Sequence, residues 1–255
     1  MDHSLRVTLL ANAGLLLQYH DVSMLLDGIY GSEEHAFSDL KPDVWEKLLL
    51  GQPPFEQIDF LLFTHVHPDH FSPEKTMQFL EKRSVKGVFL PDAPEIEESG
   101  LAEFLRSRNI PYGIMSHKTN HASFGVAPEI SVRGISTLHL SKKYHDVHHV
   151  CYLITFGEKR VLFTADVDYM FESLDVLNGI PLRAVFLNPL FFSGLRRGRF
   201  FKGSLATTTY CLYHIPFSED DSLRMRKNLA NDLLAWPPER GETLVLCDSL
   251  QHIDL

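Results

Sequence analysis

The chain has 255 residues, 44% of them hydrophobic, which suits one larger α/β domain as well as two small ones. A net charge of −9 argues against a general nucleic-acid or anionic-membrane surface, although a local basic patch is compatible with it. Three scattered cysteines, Cys151, Cys211 and Cys247, exclude a disulfide framework. With no long apolar segment after Met1 and no apolar run long enough to cross a bilayer, the expected compartment is the reducing cytoplasm.

Leu5 to Leu10, Gly14 to Tyr19 and Val22 to Leu26 are short apolar runs between turn residues and predict a β-meander ended by Asp27 and Gly28. Gly31 to Phe55 reads as a loop with a short helix in Val44 to Leu50. Ile58 to Thr64 is a buried-strand pattern. Ser72 and Pro73 then cap a helix running to about Arg83, followed by a strand at Val85 to Leu90 and a helix at Ile96 to Arg108. The second half begins again with strands, at Ile130 to Leu138 and as a hairpin of Val150 to Phe156 and Arg160 to Ala165. Phe171 to Leu177 predicts a short helix and Ala184 to Leu187 a strand. Ser218 predicts the cap of a long helix, Glu219 to Ala235, and Thr243 to Leu246 the last strand. Strands followed by strand–helix alternation, twice, indicate a single α/β domain of two similar layers over residues 1–255.

Fourteen histidines are the unusual feature of the composition, and their spacing carries the chemistry. Thr64-His65-Val66-His67-Pro68-Asp69-His70 places four metal-binding side chains within six residues, directly after an apolar strand. In extended backbone His65 and His67 face the same side, while Asp69 and His70 fall where the chain turns and can face a second ion. Imidazole and carboxylate donors suit zinc, manganese or iron. No cysteine sits nearby, which disfavours a purely structural zinc site.

This segment resembles the His-x-His-x-Asp-His motif of the metallo-β-lactamase superfamily, and the later landmarks of that family follow in order. The resemblance implies a four-layer αββα sandwich with two divalent metal ions, zinc first and manganese or iron as alternatives, at one edge between two sheets. It implies a third histidine ligand before the hairpin, for which His145 is selected over His139, His148 and His149. It implies a metal-bridging aspartate after the next strand, matched by Asp166 with Asp168 as the alternative. Ala165 stands where the family has glycine. A last histidine is matched by His214, with His252 as the alternative. The first metal would then have His65, His67 and His145, the second Asp69, His70 and His214, with Asp166 between them.

The resemblance further implies hydrolysis by a hydroxide shared between the metals, with Asp69 orienting it or passing a proton, and the compact group that includes ascorbate-6-phosphate lactonases as the likest relatives. Iron-based, oxygen-reducing relatives resemble a version with glutamate at the position of His67. Between Asp166 and His214, Arg196, Arg197 and Arg199 are interleaved with aromatic residues on an expected loop, which points to a small anionic substrate: an ester, lactone or phosphodiester. A homo-oligomer stays open, and the competing reading is a metal-binding sensor or interaction module of the same fold.

Overall fold

A strand covered on both sides needs apolar residues at successive positions, and its period of two decides which of them meets which layer. In the computed structural model, which describes residues 4–31, 35–116, 121–170, 172–198 and 205–255, β1 (Arg6–Ala11), β2 (Gly14–Tyr19) and β3 (Val22–Leu26) form the predicted antiparallel meander. The chain then alternates through α1 (Pro42–Leu50), β4 (Phe60–Leu62), α2 (Pro73–Lys82), β5 (Gly87–Pro91), α3 (Pro94–Glu98), α4 (Leu101–Ser107) and β6 (Tyr112–Met115), with β3 to β6 parallel. The second half repeats the plan. β7 (His121–Ala127), β8 (Ile130–Leu138), β9 (His148–Phe156) and β10 (Lys159–Phe163) are antiparallel. From β10 onward β11 (Ala184–Leu187), β12 (Thr209–Leu212) and β13 (Glu242–Val245) run parallel, with α5 (Pro189–Arg196) and α6 (Met225–Leu234) in the connections. β14 (His252–Asp254) returns to pair with β1. Two seven-stranded sheets result, ordered β14-β1-β2-β3-β4-β5-β6 and β13-β12-β11-β10-β9-β8-β7.

The alternation sorts side chains into three apolar layers. Leu15, Leu17, Met24 and Leu62 meet Tyr152, Ile154, Phe163 and Phe186 between the sheets. Their neighbours Leu16, Leu25 and Leu61 pack with Val44, Leu48, Phe79 and Leu105 of the first helical layer. Leu153, Leu162 and Val185 pack with Leu174, Phe191 and Leu229 on the opposite side. The order is helix, sheet, sheet, helix, the expected αββα sandwich. Among the described residues no helix is long and apolar enough to cross a membrane.

Several local expectations are corrected. The helix expected over Ile96 to Arg108 is two helices, because Gly100 takes a left-handed φ of 78° between them. Ser218 does not cap α6: the Asp221 carboxylate accepts from Met225 N and Arg226 N at 2.7 and 3.0 Å, so the helix starts later. The strand at Thr243 to Leu246 is not the last, since β14 follows it. The short helix expected over Phe171 to Leu177 is found, as a 3₁₀ helix over Glu172–Leu177. The loop expected over Asn188 to Lys202 begins as α5, with Pro189 in its first turn and the Asn188 side-chain oxygen Oδ1 accepting from Phe191 N at 2.9 Å.

Candidate metal centre

Parallel strands end at the same side of a sheet, so the loops after them converge. Here Asp27 follows β3, the His65–His70 segment follows β4, His139 follows β8, Asp166 follows β10, Asn188 follows β11 and His214 follows β12. The strand ends bring together His65, His67 and His139; His65, His70 and Asp166; and Asp69, His70 and His214, with the donor atoms of each group within 4.8 Å of one another. Six of the seven expected ligand residues are in these groups.

His145 is not. Its Nε2 lies 2.9 Å from the Asp168 carboxylate, away from the cluster, and His139 occupies the third place beside His65 and His67. The physical reason is the length of β8: it ends at Leu138 and puts the next residue at the sheet edge, where a backbone bridge from His139 to Val167 clips it to the loop carrying Asp166. His148 is held by Asp92 N and Ser136 Oγ at 3.0 and 2.9 Å. His149 accepts from Asp166 N at 3.2 Å and meets Thr137 Oγ1 at 2.6 Å, so it supports the aspartate from behind. His252 is exposed on β14.

The surroundings determine which nitrogen of each ring carries the proton. His70 Nδ1 faces the Asp27 carboxylate at 2.9 Å and therefore donates to it. Thr64 Oγ1 donates to the same carboxylate at 2.6 Å, leaving its lone pair for His65 Nδ1 at 3.0 Å. His139 Nδ1 donates to the Leu140 carbonyl at 2.7 Å. In the neutral ring each of the three thus presents an Nε2 lone pair to the centre. His139 Nε2 is buried with no hydrogen-bond partner. His65 Nε2 lies 3.1 Å from His67 Nδ1, and His70 Nε2 lies 2.9 Å from His214 Nε2. Each pair needs either a proton or a metal ion between its nitrogens, and this donor set fits the divalent metals that the fold family implies.

Carboxylates complete the field. Asp166 lies 3.6 Å from His139 Nε2, 3.5 Å from His70 Nε2 and 3.4 Å from His214 Nε2, so it faces all three groups. Asn188 and Asn12 hold Asp166 and Asp69 by hydrogen bonds of 3.3 and 3.1 Å. Burial alone would raise the pKa of Asp166, but His214, His139 and His70 outweigh it and hold the carboxyl well below its usual range. Burial opposes charge on His70, yet Asp69, Asp166 and Asp27 hold it well above the usual histidine range. Burial and the neighbouring histidines push His65 well below its ordinary value and His67 down to about 4.

Two strained positions sit at the centre. Ala165 and His214 have φ of 41° and 59°, in the left-handed region where a side chain is unfavourable. They are held there by hydrogen bonds from Ala165 N to Tyr213 Oη and from His214 N to the Asn12 carbonyl. The glycine of the family at the position of Ala165 thus has a conformational reason.

Asp27 and Asn12 were not singled out by sequence reasoning. The available signal for Asp27 was an acidic residue before Gly28 at the end of an apolar strand. Asp27 is fully buried and is bonded to both His70 and the residue that orients His65.

The centre opens into a cavity of about 570 Å³ lined by His67, Asp69, His139, Asp166 and His214 and by Phe37, Leu140, Tyr144, Leu190 and Met225 among others. Two of the three basic residues expected there lie elsewhere. α5 rises about 1.5 Å per residue and carries Arg196 away from Asn188, to pair with Asp232 at 2.6 Å. Arg197 is exposed and does not line the cavity. Arg199 lies outside the described residues.

No family model matches the chain. It is 29% identical over 113 residues to a protein of Mycolicibacterium smegmatis described as of Rieske 2Fe-2S iron-sulfur type, and that match covers 40% of this chain and 20% of the relative. The chain thus matches about a fifth of the length of this curated relative. Among solved structures, it is similar to the metallo-β-lactamase fold protein YhfI of Bacillus subtilis, with a TM-score of 0.61 and 16% identity over 99% of this chain and 100% of the other. It is similar to the isothiocyanate hydrolase from Delia radicum gut bacteria, with a TM-score of 0.60 and 15% identity over 97% and 98%. It is also similar to CmlA, a diiron β-hydroxylase from Streptomyces venezuelae, with a TM-score of 0.58 and 18% identity over all of this chain and 54% of that one. At these identities the likeness is one of fold.

Proposed function

The chain has the metallo-β-lactamase fold, and from that fold and its donor set we propose that it is a hydrolase with two divalent metal ions, acting on a small ester, lactone or phosphodiester. The observation that carries this reading is the convergence of His65, His70 and His139, each with Nδ1 engaged by an oxygen of the protein and Nε2 turned to a centre faced by Asp166. His65, His67 and His139 would hold one ion and Asp69, His70 and His214 the other, with Asp166 between them. Such ions supply Lewis acidity and bring water to a pKa of about 7. Zinc suits five imidazoles and two carboxylates, with manganese or iron as the alternatives.

The chain's own residues supply the rest. Asp69 lines the cavity and is fixed by Asn12, so it is placed to orient the attacking water or move its proton. Asp27 and Thr64 keep the histidine tautomers fixed, and Asn188 fixes Asp166. Being named a metallo hydrolase, as several proteins of this fold are, supports the reading by analogy.

A second reading is an iron-dependent redox centre, favoured by the match to the Rieske-type protein and by the diiron β-hydroxylase among the structural neighbours. Histidine at position 67 favours hydrolysis. Elemental analysis of the purified protein, with assays on esters, lactones and a chromogenic phosphodiester, separates the two. About two zinc or manganese ions with turnover upholds the hydrolase. Iron with reductant-dependent oxygen uptake and no hydrolysis replaces it, and failure to bind metal removes both.

A further inference from the structure

The cavity above the metal centre says more about the substrate than the centre itself. Its walls come from four separate parts of the chain: Phe37 before α1, Leu140 and Tyr144 after β8, Leu190 in the first turn of α5, and Met225 at the start of α6. Two of these rings stand directly against the donors. Phe37 lies edge-on to His214 with ring centroids 4.4 Å apart, and Tyr144 lies edge-on to His67 at 4.9 Å and His139 at 5.3 Å. Each end of the centre therefore has its own aromatic flank. Leu190 is 53% exposed although it lies one residue from the core residue Phe191, so an aliphatic side chain is left uncovered where the cavity opens.

Charge tells the same story by where it is spent. Among the described residues lining this cavity there is no lysine or arginine. Arg196 is committed to Asp232. Lys143 reaches Tyr144 but rests on its phenol, 3.1 Å from Oη, and is exposed. An anionic group remote from the reacting atoms would be desolvated here with no lysine or arginine among the described lining residues to meet it, which costs far more than burying methylene groups there gains.

Resting on the hydrolase reading above, we infer that the substrate is a carboxylic ester or lactone whose non-reacting part is uncharged and apolar. This replaces the anionic substrate expected from the arginine-rich segment. Water is the only co-reactant. Its oxygen bonds to the carbonyl carbon, the bond from that carbon to the alcohol oxygen breaks, one water proton goes to the leaving alkoxide, and the other is released as the product ionises to a carboxylate. Leu190 is the specificity-determining residue most open to change, because its exposure lets a longer side chain be accommodated without disturbing the core.

The test uses the zinc-loaded full chain with p-nitrophenyl esters from acetate to octanoate and with matching esters that end in a carboxylate. The expected result is a kcat/KM rising about two- to fourfold per added methylene while chains fill the cavity, with the terminal carboxylate costing at least about tenfold. Leu190→Arg is expected to lower turnover of the alkyl esters and raise that of the carboxylate-ended ones. Calorimetric titration with alkyl amides, which are not turned over, gives an independent readout and is expected to follow the same chain-length order. Ester turnover with no chain-length trend, or with preference for the carboxylate-ended series, overturns the inference and leaves the hydrolase reading intact. Amide binding in the expected order without turnover of any ester or lactone upholds the apolar cavity and sinks the hydrolase reading. Absence of both turnover and amide binding overturns both.

Discussion

The first half of the molecule delivers His65, His67, Asp69 and His70 from one short loop after β4, whereas the second half delivers His139, Asp166 and His214 from the ends of three separate strands. Both halves are built alike, with a meander followed by parallel strands and helices, yet they specify their donors differently. In the first half a single strand and turn fix four side chains relative to one another. In the second half the spacing between donors along the chain is irrelevant, and what matters is the order β8-β9-β10-β11-β12 in the sheet and the length of each strand. The second set thus exists only once the second sheet has formed and docked on the first. Metal binding should report on that docking as much as on local ligand geometry.

The comparison predicts first that donors from either half are equally indispensable. His65→Ala and Asp166→Ala should each lower kcat/KM by more than about 100-fold, beyond the 10- to 100-fold typical of residues that only support a ligand. Metal content per chain should fall in both. A large loss for His65 with near-normal Asp166→Ala would mean that the second half is a lid rather than part of the centre.

The next prediction separates the two candidate histidines. His139→Ala should abolish metal binding at the position proposed for His65 and His67, whereas His145→Ala should keep full metal content and alter kcat by no more than a few-fold. The reverse pattern, read by elemental analysis, would show that the loop rearranges when metal binds.

Asp27 links the two proposed metal positions, bonding His70 directly and reaching His65 through Thr64. Asp27→Asn should weaken metal affinity by about 10- to 100-fold at both positions, because Oδ2 accepts from His70 and the Thr64 hydroxyl while Oδ1 accepts from Thr64 N, and an amide has only one acceptor oxygen for these two places. Competition with a chromogenic chelator measures it, and loss confined to one ion would break the coupling.

The pH dependence follows from the raised pKa of His70. Below that raised value, a metal ion entering the centre must displace the proton, so affinity should climb with pH by up to about tenfold per unit. In chelator-treated protein the sign is opposite. The charged His70 contributes stability in full below about pH 6.5 and loses it as pH rises through the raised folded-state value. Chelator competition and denaturant titrations across pH check both slopes.

The smallest effect concerns Ala165, held at a φ of 41°. Ala165→Gly should stabilise the fold by about 1 kcal/mol by relieving the left-handed strain, with little change in kcat. An unchanged or lower Tm would mean that the neighbouring hydrogen bonds already compensate.

By itself, the sequence determined what is local. Short apolar runs between turn residues gave β1 to β3 and β8 to β10 but not β7, Ser72-Pro73 gave the start of α2, and the contiguous His65–His70 segment gave half of the clustered donors, because residues within a turn of one another have few ways to be arranged. The order of landmarks in the resembled family pointed to Asp166 and His214, which the structure brings into the same donor groups. Tertiary structure decided the rest. His139 and His145 are both histidines on one loop, and only the register of β8 against β9, with Leu138 opposite His148, puts the first at the sheet edge and leaves the second on Asp168. The arginines of 196–199 looked like a clamp because a loop can fold back, but the Asn188 cap starts a rigid helix that carries Arg196 outward. Asp27 and Asn12 were silent for the same reason. A buried carboxylate or amide acquires its role from partners tens of residues away, and those distances are closed only when the sheets assemble.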